Sequence, residues 1–249
     1  MRIGFTERGD AGIDFSWYQK LNTVDGAVVI TKKLSPEFNQ LLLSASRPCI
    51  LHCTCTGLGG TRLEPNVPAY GVQLDLLADL VAAGFPSERI VLRIDPVIPV
   101  PRGLDAAEAV LHGLARRKIP VSRIRFSVYD EYPHARDRLA AAGLPPFYPD
   151  GRFYASDAQM QQVADMLRKY PYVYETCAED WAARLDPDRF VSRGCLSPYD
   201  LQVLGLDTYG NHDENRQRRS GCHCLGCKVE LLSCKHRCPN QCMYCYWKD

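Results

Sequence analysis

The sequence predicts an α/β fold: a six-stranded (β/α) partial or near-closed TIM-like barrel, followed by an irregular tail. Three observations predict it. Short β-branched or apolar runs alternate with helical patterns from the first residues onward, as parallel strands joined by crossover helices do. The runs VLRID and IRFSVYD begin apolar and end polar, as strands do when their carboxyl ends present functional groups at one rim. Seven of the twelve cysteines crowd between Cys222 and Cys245, where the regular alternation has given out.

The candidate strands cover residues 2–6, 27–31, 50–56, 90–94, 124–129 and 172–176. Helix patterns lie between them at residues 15–21, 36–43, 73–83, 106–117, 135–141 and 158–169. Ser35, Asp105 and Asp157 stand where N-caps belong, because their short side chains can accept from the unpaired first amides of a helix. Gly84 and Gly143 stand where helices stop. Residues 1–180 therefore read as the β/α unit and residues 181–249 as a cysteine-rich tail packed on its rim. In the tail, Pro, Gly, Asp and Arg replace periodic apolar positions, and VSRGCLSPYDLQVLGL suggests a short helix at most. Ligand bonds to a metal can organise such a segment in place of apolar burial.

With 249 residues, 46% hydrophobic and 24% charged, the chain can bury one large core or two modest ones. A net charge of +1 argues against a whole-surface grip on nucleic acid or anionic lipid, so any such contact would be local. No apolar run approaches the roughly 18 to 20 residues of a membrane span, and MRIGFTERGD lacks the charged-then-apolar order of a secretion signal. The expectation is a cytoplasmic protein with no membrane contact. In that reducing compartment, twelve cysteines point to metal binding in preference to disulfides.

The stretch CPNQCMYCYW sets Cys238, Cys242 and Cys245 at a C-x3-C-x2-C spacing, with Tyr244 just before the third thiolate. Three thiolates on one loop can hold three irons of a [4Fe–4S] cube and leave the fourth open, as inner-sphere chemistry requires. With Cys234 as a fourth ligand, the competing readings are a four-thiolate zinc site and an electron-transfer cluster. Structural zinc sites usually pair two close doublets, which this triplet matches poorly. Cys222 and Cys224, flanked by Gly221, His223 and Gly226 with little to bury, also favour a ligand role. Cys177, at a strand end, reads more readily as a buried small hydrophobe. Cys49, Cys53 and Cys55 share one face of the third strand and read as core, with His52 on the opposite face as a hydrogen-bonded interior histidine. His212, His223 and His236 are tail residues that could stand in for a thiolate.

Strand ends should supply polar groups around a cofactor pocket. The candidates are Glu7, Arg8 and Asp10, then Lys32, then Thr54 and Thr56, then Arg93 and Asp95, then Tyr129 and Asp130, and finally Glu175 and Glu179. Arg93 and Asp95, two apart on a strand, point to the same side and can form a neutralised pair. Lys32 and Arg8 could bind a carboxylate or phosphate, although Lys32 with Lys33 also fits a solvated turn. The glycines of GLGG lack a phosphate-loop pattern; they let the loop after the third strand approach a cofactor, and Glu64-Pro65-Asn66 fixes its exit.

CPNQCMYCYW resembles the cluster loop of radical S-adenosylmethionine proteins, including the YCY ending of the spore photoproduct lyase group. More widely, the chain resembles an uncharacterised bacterial family that carries this loop at the C-terminal side of the domain, as in a circularly permuted order. FTERGD, VVITKKL, TGLGGTRLEPNVP, VLRIDPV, ETCAED, GCLS and QRRSGCHC carry that likeness together with the terminal loop. The resemblance implies a [4Fe–4S] cluster on Cys238, Cys242 and Cys245, with S-adenosylmethionine chelated at the open iron and cleaved to a 5′-deoxyadenosyl radical. It also implies a reductant such as flavodoxin or ferredoxin, and makes Tyr244, Lys32, Arg93, Thr56 and Arg8 the cofactor-binding candidates. Cys177, Cys195, Cys222 and Cys224 fall at the family's other cysteine positions, a shell for a second [4Fe–4S] cluster or a zinc. No substrate is implied. The YCY loop suggests a nucleobase or nucleotide, and ENRQRRSGCHC gives a small basic patch consistent with nucleic acid. The alternative is a non-catalytic iron–sulfur or zinc module for electron transfer or partner docking. Two departures concern local geometry: Asp249 follows Cys245 closely where these enzymes continue into a helix, and Cys227 and Cys234 are additional.

Overall fold

Apolar runs that are too short for a buried helix and rich in β-branched residues become strands when both faces can be covered. In the computed structural model, which describes residues 1–176, 178–208, 222–233 and 238–247, eight such strands form one sheet. They are β1 (Ile3–Phe5), β2 (Gly26–Thr31), β3 (Cys49–Thr54), β4 (Ile90–Val97), β5 (Arg123–Val128), β6 (Tyr174–Thr176), β7 (Phe190–Ser192) and β8 (Lys228–Glu230). Their order is β7-β6-β5-β4-β3-β2-β1-β8, and every pairing is parallel. The six predicted strands are all present. Two more come from the tail and sit at opposite edges, so the sheet has eight strands, and no ladder joins β7 to β8 among the described residues. The segments FVS and KVE are three residues each, too short for alternation to show in a polar sequence.

The helices are α1 (Ser16–Gln19), α2 (Pro36–Leu43), α3 (Tyr70–Ala82), α4 (Pro101–Arg117), α5 (Pro133–Ala141), α6 (Asp157–Arg168), α7 (Asp180–Leu185) and α8 (Pro198–Val203). Ser35 caps α2, accepting from the Phe38 amide at 3.1 Å. Asp105 does not cap α4, which starts a turn earlier with Pro101 in its first turn, a position that proline's missing N–H and fixed φ favour. Asp157 likewise lies inside α6, and Ser156 provides the cap. Gly84 and Gly143 adopt φ of +97° and +65° just past α3 and α5, as expected of helix stops. No helix among the described residues is long and apolar enough to cross a membrane.

Strand alternation divides the sheet into two faces. Cys49, Leu51 and Cys53 of β3 join Leu92, Ile94 and Phe126 in the larger core, with Leu74 and Leu77 of α3, Leu111 and Leu114 of α4, and Leu167 of α6. Cys49 and Cys55 are inert packing residues whose thiols burial pushes up to about 12. On the other face, Ile3, Phe5, Val28, Ile50 and Val91 form an apolar base against Leu196, Leu201 and Leu204, which α8 and its flanks supply. Each fully buried side chain of this size contributes about 1.5 to 3 kcal/mol. One step toward the carboxyl ends, that face turns polar at His52, Arg93 and Arg125, then at Thr54, Asp95 and Ser127. This change of character positions the site.

Candidate functional site

At the carboxyl ends of the strands lies a cavity of about 1000 Å³. Thr6, Thr31, Thr54, Asp95 and Ser127 line it from the sheet. Cys238, Cys242 and Cys245 of the terminal loop line the same cavity, and so do Cys195, Cys222 and Cys224. Of the predicted cofactor-binding residues, Arg8, Lys32, Arg93 and Tyr244 also face it. Thr56 does not: it is buried behind the wall, where its hydroxyl accepts from the Leu58 amide at 3.2 Å.

The terminal loop is fixed from three directions. Asp10, at the exit of β1, accepts from the Gly12 amide (2.9 Å), the Thr31 hydroxyl (2.5 Å), the Lys32 amide (2.9 Å) and the Asn240 side-chain amide (2.5 Å). One buried carboxylate thus ties β1, β2 and the loop between Cys238 and Cys242. Lys32 donates to Glu64 at 2.7 Å and to the Tyr244 hydroxyl at 2.9 Å, while Tyr244 donates to Glu64. Asn66 donates to the Pro239 carbonyl at 2.7 Å, the Met243 amide donates to Leu63 O at 3.0 Å, and Arg138 donates to the Cys245 and Trp247 carbonyls. Glu64-Pro65-Asn66 therefore clamps the cysteine loop as well as ending its own. Gly57, with φ of +80°, starts that segment where a Cβ would meet the Ala106 carbonyl at 2.1 Å.

Charge follows geometry. Burial alone would pull Lys32 down, but the Glu64 carboxylate and the Cys242 thiol outweigh it and hold the lysine above its ordinary value. Burial likewise opposes ionisation of Glu64, and Lys32 overcomes it, keeping the carboxyl below the usual range. Burial pushes the Cys242 thiol up to about 12 against the pull of Lys32, and raises Cys238 as well. Lys32 is therefore part of a buried Lys–Glu–Tyr unit beside the cysteines, and its ammonium is engaged before any cofactor arrives. Glu179, beyond β6, accepts from the Val128 amide at 2.8 Å, yet burial lifts its carboxyl to about 7.

The second cysteine group is drawn together by close backbone contact. The Cys195 amide donates to the Cys224 sulfur at 3.1 Å, and Gly194, with φ of +70°, lies so near His223 and Cys224 that a Cβ would come within 3.0 Å of their backbone. Lys228 of β8 stands beside them: burial would lower it, but Cys195, Glu7 and Cys224 hold it above the lysine range. His223 is turned to Asp180, at 3.0 Å. Cys177, Cys234, His212, His236 and residues 214–221 of the basic patch lie outside the described residues.

Among the described residues, no three His, Cys, Asp or Glu side chains converge on a point that one metal ion could occupy. Zinc needs that convergence, because its Zn–S bonds of about 2.3 Å all meet at a single ion. A cube distributes its thiolates over separate irons. Cys238, Cys242 and Cys245 lie along one loop and line one cavity.

Two features escaped the sequence. His52 was expected to be hydrogen-bonded, yet neither ring nitrogen has a partner among the described residues, and burial together with the nearby charges of Arg125, Arg93, Arg123 and Lys228 disfavours its protonation. Arg123, Arg125 and Lys228 were not singled out, although arginines two apart on a strand signal one charged face.

The model of a family described as Domain of unknown function (DUF1848) matches residues 15–247. No curated protein and no solved structure matches the chain.

Proposed function

The chain belongs to the DUF1848 family, and from its own residues we propose that it is a radical S-adenosylmethionine-type enzyme whose terminal loop carries the catalytic [4Fe–4S] cluster. The observation that carries this reading is that Cys238, Cys242 and Cys245 line one large cavity together with Arg8 and Arg93. Cys238, Cys242 and Cys245 would hold the cluster, which would supply one electron for the reductive cleavage of S-adenosylmethionine to methionine and a 5′-deoxyadenosyl radical able to abstract hydrogen from substrate. About 1000 Å³ is at the upper end of ligand pockets, room for a nucleoside-sized cofactor with a small substrate beside it.

The chain's own residues position and insulate. Asp10, Asn240, Lys32, Glu64 and Tyr244 hold the cysteine loop in register with β1 and β2. Arg8 and Arg93 present positive charge to the carboxylate of the cofactor, with Asp95 orienting the Arg93 guanidinium. Val128, Met243 and Tyr129 give the cavity apolar wall that excludes water from a reactive carbon centre. Cys177, Cys195, Cys222 and Cys224 would hold a second [4Fe–4S] cluster or a zinc, the last three of them facing the same space. A one-electron donor of the flavodoxin or ferredoxin class would serve as reductant.

The test uses anaerobically purified protein with reconstituted cluster and a strong reductant. The expected product from S-adenosylmethionine is 5′-deoxyadenosine. Full iron content without any such product would assign the site to electron transfer and overturn the enzyme reading, and a colourless protein holding only zinc would overturn it sooner.

A further inference from the structure

The loop that carries Cys238, Cys242 and Cys245 presents one polar atom that its own contacts do not use. Asn240 lies between the first two of these cysteines, lines the cavity and is 2% exposed. Its backbone amide stands close enough to the Cys238 sulfur to favour the thiolate, and its side-chain Nδ2 donates to Asp10. A carboxylate only accepts, so the nitrogen must be the atom that meets Asp10 and the oxygen the atom left over. That oxygen, Oδ1, has no hydrogen-bond partner among the described residues. The backbone on either side is held: Asn66 donates to the Pro239 carbonyl at 2.7 Å, and Gln241, at a left-handed φ of +50°, donates its amide to the Cys238 carbonyl at 3.1 Å.

Buried polar atoms are seldom left unsatisfied, so an acceptor on the wall of a ligand-sized cavity calls for an N–H or O–H from the ligand. The surroundings decide which. Asp10 is 4% exposed and lines the same cavity. The donors it receives among the described residues are all neutral: the Gly12 and Lys32 amides, the Thr31 hydroxyl and the Asn240 side chain. Negative charge beside Oδ1 makes an amino group, which can carry positive charge, a better donor than a hydroxyl. Two residues earlier on the same strand exit, Arg8 is exposed on the cavity wall and offers the opposite charge. A guanidinium and an acceptor pair on one exit complement a carboxylate and an amino group borne on one carbon.

We propose that Asn240 Oδ1 accepts from the α-amino group of the ligand at the cysteine end of the cavity, beside Asp10, with the ligand's carboxylate on Arg8. The ligand is then an α-amino acid derivative whose amino and carboxylate groups are both unblocked, and S-adenosylmethionine is one. An amine keeps N–H donors whether it is protonated or bound to a metal, so the contact holds in either state. The inference rests on the terminal loop being the cofactor site, and deepens that reading by naming the side chain that reads the amino end. Asn240 thus ties the loop to β1 through Nδ2 and receives the ligand through Oδ1.

Anaerobic isothermal titration of the iron-loaded full chain, without reductant so that nothing is consumed, tests it. The probes are S-adenosylmethionine and its deaminated analogue, in which hydrogen replaces the α-amino group. The deaminated probe should bind the unsubstituted protein at least about tenfold more weakly. In Asn240→Leu, S-adenosylmethionine should lose about tenfold in affinity while the deaminated probe changes little, so the gap between the two narrows by that factor. A merely structural role for Asn240 would weaken both probes alike and leave the gap as it was. Where Asn240→Leu fails to fold or to hold iron, Asn240→Ser keeps a hydroxyl for Asp10 and is read in the same way. Equal affinity of the two probes for the unsubstituted protein, or a gap as wide in the folded variant as in the parent, overturns the proposal. Formation of 5′-deoxyadenosine is scored separately. Cleavage with an unchanged gap removes this inference alone, and a narrowed gap without cleavage removes the enzyme reading alone.

Discussion

Lys32 holds the cysteine loop to the sheet through a carboxylate that is 1% exposed, and a charge left alone at that depth has no solvent to replace its partner. Lys32→Met should therefore destabilise the protein by about 3 kcal/mol. Lys32→Met combined with Glu64→Leu should recover most of that loss, because the stranded charge goes with its partner. Urea unfolding of both variants checks this, and equal stability of single and double variants would count against it. His52 makes a different prediction. Its folded-state pKa lies well below the ordinary 6.5, so below about pH 6.5 the unfolded chain binds a proton that the folded chain refuses. Stability then falls as pH falls from about 6.5 toward the folded pKa, and above that window the residue contributes nothing. His52→Leu should remove this acid sensitivity, gaining about 2 kcal/mol relative to the parent between pH 7 and pH 5. A gap that stays constant across those two pH values would mean that the folded protein protonates the ring.

Secondary-structure elements set what can be read in advance. β2, β3, β4 and β5 are long enough for alternation and β-branched content to announce them, and the expected bounds fall within a few residues of those found. β7 and β8 were hidden because three residues carry no period, and their place in the sheet is set by partners distant in sequence. α4 was begun too late because Asp105 resembled a cap, while the stronger signal was Pro101. Among these elements α8 has a role beyond its length. Ser197 caps it, and the same box places Asp200 to receive Arg123. Ser197→Ala should cost about 1 to 2 kcal/mol in thermal or urea unfolding; an unchanged midpoint would show that Asp200 keeps its position without the cap.

At the scale of the whole molecule, two cysteine groups separated in the chain line one cavity. Their number and spacing were legible in the sequence. Their meeting was not, because it depends on β8 entering the sheet beside β1 in register with Ile3, Gly4 and Phe5. If each group holds its own metal, Cys242→Ala should remove the terminal cluster and Cys224→Ala only the other, with Cys53→Ala leaving metal content untouched. Iron and sulfide analysis with electron paramagnetic resonance of the reduced proteins would distinguish these outcomes, and identical loss in all three would refute the division. The placement of β8 also has a price in biosynthesis. The outer backbone of β1 offers unpaired amides and carbonyls until Lys228, Val229 and Glu230 have left the ribosome, a delay of roughly ten to fifty seconds at ordinary elongation rates. Throughout that interval an unpaired β1 edge is open to a neighbouring polysome product, so a pause in translation upstream of β8 should raise the sedimenting fraction of the translated chain.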